Sequence, residues 1–526
     1  MQLTRNVIYR LSGGQHGNSK ANMTDINTFY GIIPMFNVTT ILIVCVVFLL
    51  YYYGIQKPRD IPPGPNIYIP LLGNIPQLTG KDTMCLFRDW RTKYGDVFSV
   101  YLGHQLLVII NGYETIKEAL VRKGSQFSER PPNYLLDKIK KGEGVIFTSG
   151  PSWRKQRKLS LNFLQDLGFG RTSFEQNIKE EVQILLEMVL STQGHPFDIK
   201  KMLRLCVSNV MCGIVFGKRF NHEDRKFLTI IHNFDEDSKA LGNASVLMNC
   251  FPFLHYLPGD IFNSRMLMSH HAIYLEFFDE IYTAHEATLD KENIRDFMDR
   301  YILEMKEGLE SGKENSYSKM QLAAVVGDLF GAGTETTMTT MLWTILYLVY
   351  YPEIQEKCYR ELENIIGLDQ FPTMANKLEL PYIEATIMES LRISNATPFA
   401  VPHAVQNDTI FKGKRIPKES SILINLDSIL HDNRIFNKSE QFLPERFLDA
   451  DGKVHRPEEF IPFSIGRRMC LGEKVARMEL FIFITAMIQK FRFLPQEGLP
   501  PPSLKGELGI TYTPQKFKIR AVPRNA

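Results

Sequence analysis

Paired cysteines are missing from this chain. Its seven cysteines, at 45, 85, 206, 212, 250, 358 and 470, are scattered over 526 residues with no Cys-x-x-Cys spacing. That excludes a zinc ribbon and argues against a disulfide framework, so the catalytic mass is expected to face a reducing compartment. Excess charge is missing too. Sixty-one Lys and Arg against fifty-eight Asp and Glu leave a net +3, no global field of the kind that holds nucleic acid. Internal repeats and low-complexity tracts are absent, and with 44% hydrophobic and 23% charged residues wholesale disorder is excluded.

What is present is one uncharged apolar run, residues 35–53 (MFNVTTILIVCVVFLLYYY), long enough to cross a hydrocarbon core. Tyr51, Tyr52 and Tyr53 would lie at an interface. Lys57 and Arg59 follow at once, whereas the nearest upstream cation is Lys20. The positive-inside rule then puts the C-terminal side in the cytosol. The expected division is a tail over 1–34, a transmembrane anchor over 35–53, a proline-rich hinge over 54–75 and a catalytic domain over 76–526. The tail carries Arg5, Arg10 and Lys20 ahead of its first acid, Asp25. That is mildly like a mitochondrial transit peptide, but the span behind it argues for a lumenal tail. Asn22-Met23-Thr24 is then a glycosylation acceptor, and Met23 and Met35 are alternative starts.

Residues 98–110 alternate and are rich in β-formers, which predicts a hairpin. From about 112 to 365 the pattern is mostly helical, interrupted by a polar break over 306–319. A long, mainly apolar helix is expected over 320–350, buried on most faces. Short strands and Pro-rich loops are expected over 396–466.

The most informative string is Phe463-Ser-Ile-Gly466-Arg467-Arg468-Met-Cys470-Leu-Gly472, with a helix-like stretch (471–491) directly after it. Arginines, backbone N–H groups and a helix N-terminus favour a thiolate able to ligate a metal. A lone cysteine is more often a buried structural residue. Upstream, Gly331-Ala332-Gly333-Thr334-Glu335-Thr336-Thr337 lies within the long helix. Two mid-helix glycines cost about 1 kcal/mol each relative to alanine. Ala332 and Thr336, four apart, share a face. Close helix packing with hydroxyl back-bonding is the competing explanation.

The pattern Phe-x-x-Gly-x-Arg-x-Cys-x-Gly resembles the haem-ligand loop of the cytochrome P-450 monooxygenases, and Gly331–Thr337 resembles their oxygen-activation motif. The resemblance covers nearly everything from Pro62 to Arg524. Finer motifs (Asp328–Thr337, Pro402–Val405, Asp296–Asp299, Ala476–Leu480) look like the microsomal family-two branch, which oxidises fatty acids, steroids and foreign lipophiles. It implies a mainly α fold with small β-sheets behind one N-terminal transmembrane helix, and haem b as cofactor with Cys470 as its axial iron ligand. It implies that Thr336 and Glu335 deliver protons. Trp153, Arg157, Arg468, His403 and Arg130 would hold the haem propionates. Glu389, Arg392 and Arg446 would form a buried structural network, against the plain expectation that Glu-x-x-Arg is a surface pair. The implied reaction inserts one atom of O2 into a lipophilic substrate. Its electrons come from NADPH through NADPH–cytochrome P-450 reductase, with cytochrome b5 as a further donor. Location in the endoplasmic reticulum membrane is implied as well. A haem-thiolate isomerase or dehydratase of lipid peroxides, and a non-enzymatic haem-binding sensor, are the alternatives; neither needs a reductase.

Overall fold

The computed structural model describes residues 38–48, 58–66, 69, 71–168, 172–310, 317–418 and 420–524. The chain divides into two units, residues 1–57 with 68–71, and residues 58–67 with 72–526. In the first, residues 38–48 form a helix within the expected anchor; the rest of the 35–53 run lies outside the described residues, as do the tail and most of the hinge's start. No helix among the described residues is long and apolar enough to cross a membrane.

The larger unit is mainly helical. Asp82 caps α1 (Thr83–Tyr94) by accepting from the backbone N–H groups of Met84 and Cys85, which satisfies two otherwise orphaned donors. The expected hairpin follows as β1 (Val97–Leu102) and β2 (Gln105–Ile110). Helices α2 (Tyr134–Lys140), α3 (Gly150–Gly168), α4 (Thr172–Leu190), α5 (Ile199–Phe216), α6 (Arg225–Cys250), α7 (Ser264–Thr288) and α8 (Phe297–Glu310) occupy the expected helical stretch. Then come α9 (Lys319–Tyr350), α10 (Pro352–Ile365), α11 (Pro381–Ser394), β3 (His403–Ala404), β4 (Ser421–Ile424) and α12 (Glu473–Lys490).

The four-stranded sheet runs β1-β2-β4-β3. Strands β2 and β4 pair in parallel, with Leu107 opposite Ser421, and β3 closes the edge antiparallel, with His403 opposite Ile422. His403 thereby gains a fixed backbone position. The 32-residue α9 spans about 48 Å at helical rise. Ser318 caps it, accepting from Gln321 N at 3.1 Å. Apolar side chains on nearly all its faces pack into the main core, against α5, α11 and α12, as expected of a helix hydrophobic all round. It is therefore a fixed beam, and its small residues Gly331, Ala332 and Gly333 mark the site.

Candidate functional site

A cavity of about 1390 Å³ lies between the middle of α9 and the Cys470 loop. The Cys470 loop is held open by local geometry. Ser464 and Gly466 have φ of 61° and 80°; a Cβ on Gly466 would overlap the carbonyl of Leu120. The glycine there admits neighbouring backbone. Gly472 is different, since a Cβ there meets nothing within 4 Å and the residue lines the cavity. Cys470 N donates to Phe463 O at 3.1 Å, and α12 starts three residues later.

The thiol opens onto the cavity, deep below the outer surface. Burial raises its pKa above the ordinary thiol value; Gly472 and Glu473 backbone N–H groups and the Arg157 charge oppose this without winning. The expected low-pKa surroundings are thus too weak in the protein alone. A coordinated metal reverses that outcome, because a ligating thiol is deprotonated outright.

Positive charge converges on the same cavity. Trp153 and Arg157, one turn apart on α3, face the loop: Arg157 Nη2 donates to Met469 O. Arg468 stacks on the Trp153 ring with its guanidinium carbon 3.5 Å from the centroid. Arg468 also donates to Ser128 O at 2.8 Å and Thr148 O at 2.6 Å. Arg130 donates to Ile146 O, Val401 O and Pro402 O, each at 2.8 Å. None of these three arginines is in an ion pair among the described residues. Burial and their mutual repulsion pull Arg130 well below its usual range and Arg468 down to about 9. Burial also lowers Arg157, with Cys470 opposing.

His403 Nδ1 donates to Phe127 O at 2.7 Å, which leaves Nε2 bare in the neutral ring. Burial, then Arg130, pull its pKa down to about 3, so it is the weakest anion donor of the five. Trp153 Nε1 and Arg468 Nη1 are buried with no acceptor. Unpaired buried cations and orphaned donors are costly alone. Beside a thiol and an open wall, this donor set fits a flat, dianionic, iron-holding group, which haem b is.

On the α9 wall, Ala332 and Thr336 both border the cavity, as their shared face predicts. Side chains replace the need for an oxygen-binding explanation of the glycines: a Cβ on Gly333 would collide with Met211, and one on Gly331 would press Phe234 Cε1 at 3.1 Å. These glycines let α5 and α6 pack close. Thr336 does line the cavity, but its hydroxyl donates back to Ala332 O at 2.7 Å. Glu335 is also at the wall, with Oε2 3.5 Å from Arg204 on α5. Arg204 is itself paired with Asp235. The acid and alcohol are adjacent as expected, with both already engaged.

The Glu389–Arg392–Arg446 network is assembled. Glu389 and Arg392 are fully buried and joined by two bonds of 2.7 and 2.8 Å, and Arg446 reaches Glu389 at 3.1 Å. Leu443 N donates to Glu389 at 2.9 Å, which ties the segment before the Cys470 loop to α11.

Three participants escaped sequence reasoning. Arg204 has no local motif. Lys140 pairs with Asp328, which also accepts from Val145 N at 2.7 Å and Ile146 N at 3.0 Å, so that the cavity wall after α2 is pinned to α9. Glu479 sits within an apolar stretch of α12, a signal visible in the sequence.

The model of the family described as Cytochrome P450 matches residues 62–521. Cytochrome P450 2H1 of Gallus gallus is 37% identical over 493 residues, 92% of this chain and 99% of the relative. Cytochrome P450 2B4 of Oryctolagus cuniculus is 38% identical over 488 residues, 90% and 97%. Cytochrome P450 2U1 of Homo sapiens is 35% identical over 491 residues, 88% and 89%. Members of this family bind haem b through a cysteine thiolate and act as monooxygenases. Fold, cavity chemistry and these matches agree, and the chain belongs to the cytochrome P450 family.

Proposed function

We propose that this protein inserts one oxygen atom from O2 into a lipophilic substrate, using NADPH electrons delivered by a membrane reductase, with Cys470 as the residue that would hold the haem iron. When bound, haem would supply the oxygen-activating redox chemistry, and Cys470 would hold its iron as a thiolate. The observation that carries the reading is the meeting of one thiol and three unpaired arginines on one cavity. Arg157, Arg468 and Trp153 Nε1 would hold the carboxylates, Arg130 would brace those arginines' side of the cavity, and His403 fixes the sheet edge. Thr397 to Val401, on the cavity wall, offers the substrate an apolar face. A fatty acid, a steroid or a foreign lipophile all fit such a wall. Reconstitution with reductase, NADPH and a panel of such lipophiles tests the proposal; NADPH-dependent product supports it.

Thr336 and Glu335 deliver the protons that O–O cleavage requires. To do so the Thr336 hydroxyl rotates off Ala332 O, and Glu335 draws on the Arg204–Asp235 pair. A general acid contributes about a hundredfold at the low end. Thr336→Ala is therefore expected to keep NADPH consumption while the product-to-NADPH ratio falls sharply and free hydrogen peroxide rises. An unchanged ratio leaves Thr336 as a packing residue. The engagement of both groups in the resting protein also favours a second reading, a haem-thiolate isomerase of lipid peroxides, which needs neither proton relay nor reductase.

We place the protein in the endoplasmic reticulum membrane, on the uncharged run 35–53 with Lys57 and Arg59 behind it. Deleting residues 1–56 is expected to preserve haem binding and to move much of the protein from the membrane pellet to the supernatant. Some membrane binding should persist, because Phe253, Tyr256 and Ile261 are exposed at 62, 74 and 72% between α6 and α7. A folded truncation without haem contradicts the division between anchor and catalytic body.

A further inference from the structure

Away from the haem cavity, three side chains of metal-ligating type meet. Glu181 on α4, Cys206 on α5 and His222 in the turn between α5 and α6 each bring one ligand atom, and these atoms lie within 4.8 Å of one another. None of the three lines the cavity. Glu181 and Cys206 are buried, while His222 is partly exposed and leaves a way in from solvent. The turn that carries His222 has a fixed seat. Phe220 N donates to Asn209 Oδ1 and Asn209 Nδ2 donates to Phe220 O, both at 2.9 Å. Asn209 stands three residues after Cys206 on the same helix. Phe220 also stacks on Phe227 at the start of α6, with centroids 5.0 Å apart.

His222 Nε2 lies 3.2 Å from Glu181 Oε2. Zinc binds imidazole nitrogen and carboxylate oxygen at about 2.0–2.2 Å, and at a tetrahedral angle such donors stand about 3.4 Å apart. The pair therefore already has nearly the spacing an ion needs. The other carboxylate oxygen, Oε1, accepts from Arg219 Nε at 2.8 Å. Ligating carboxylates are themselves hydrogen-bonded in this way, which fixes their orientation. The Arg219 charge opposes a cation, but its side chain is half-exposed and screened by water. Glu181, Arg219 and His222 would satisfy one another without metal; a thiol turned to the same oxygens is what that arrangement leaves unexplained. A second trio, His285, Asp296 and Asp299, is closed by comparison. His285 uses both ring nitrogens, on Ile281 O and Asp296, and Arg295 grips both oxygens of Asp299.

We propose that Glu181, Cys206 and His222 bind a zinc ion, with water in the fourth position, and so clamp the turn before α6 to α4 and α5. Sulfur, imidazole and carboxylate together suit zinc, whereas magnesium and calcium take oxygen. Thiolate and carboxylate match the two charges of the ion. On binding, the Cys206 S–H bond breaks, a Zn–S bond forms and the proton leaves to solvent; nothing changes oxidation state. The clamp bears on the haem cavity through α6, whose Phe234 packs against Gly331 and Phe330 of α9.

The test uses the full-length haem-loaded protein without a polyhistidine tag. Zinc is added, excess is removed by gel filtration, and zinc and iron per chain are measured by mass spectrometry. Absorption at the zinc K-edge then reads the ligands. The expected result is one zinc beside one iron, with one sulfur neighbour at about 2.3 Å. Cys206→Ala should remove the sulfur neighbour, and His222→Gln should keep it. Each should weaken zinc binding by at least the roughly hundredfold that loss of an outer-shell partner can cost. Zinc that washes away, zinc without a sulfur neighbour, or zinc held equally well by both variants means an adventitious ion only and overturns the proposal. The reduced carbon-monoxide band reports whether each variant has folded. If Cys206→Ala does not fold, His222→Gln in its surface turn decides alone, and undiminished zinc affinity there overturns the proposal. No readout needs turnover, so failure here is separable from failure of the monooxygenase reading.

Discussion

Cys470→Ser is expected to abolish turnover and the red-shifted carbon-monoxide band of the reduced protein, a signature of thiolate ligation. The effect is all-or-none because no second thiol is placed to substitute. Cys206 and Cys212 lie in the buried core around α5, where burial raises both thiols well above their ordinary values; neither they nor Cys358 line the cavity. A serine hydroxyl is a poor ligand for iron at neutral pH, while the cationic rim of Arg130, Arg157 and Arg468 is untouched. Some haem should therefore remain associated with the variant without the thiolate spectrum. Persistence of that band in the serine protein assigns the ligand elsewhere.

Glu389→Gln is expected to destabilise the protein by about 3–5 kcal/mol, the usual cost of breaking a buried ion pair from one side. Arg392 is fully buried and would keep its charge with no carboxylate to neutralise it, among neutral acceptors such as Leu430 O and Gln441 O. Such a loss is a large fraction of a net stability of about 5–15 kcal/mol. The damage should spread to the haem site, since Glu389 also holds Leu443 N and Arg446. Urea unfolding of the haem-loaded protein, followed with the carbon-monoxide spectrum, measures both. Arg446→Ala should cost less, because that guanidinium is partly exposed. An unchanged unfolding midpoint in Glu389→Gln contradicts the structural role.

The parts legible in the sequence were those set by local rules. The hairpin at 97–110 follows from side-chain alternation, and the long helix at 319–350 from its length and near-continuous apolar composition. The helical spacing of Trp153 and Arg157 placed both toward the Cys470 loop. Glu389, Arg392 and Arg446 were recognised by their order along the chain; their burial could only come from packing. What the sequence hid was partner choice across long separations. Glu335 faces Arg204, Asp328 takes Lys140 from 188 residues away, and Gly333 exists for Met211. Each is a tertiary contact with no local periodicity. The Cys470 pKa was misjudged for a related reason: the favourable charges are local, but the opposing burial comes from the whole fold.

Entry of oxygen from O2 into the product is the defining event of this chemistry. Haem-loaded protein, reductase and NADPH should be supplied with isotopically labelled dioxygen and a fatty acid, a steroid and an aromatic ether. The expected result is NADPH-dependent product carrying one labelled oxygen atom, with the second label recovered in water. Product without label, product formed equally well from a lipid peroxide without NADPH, or no NADPH-dependent oxygen uptake would contradict it.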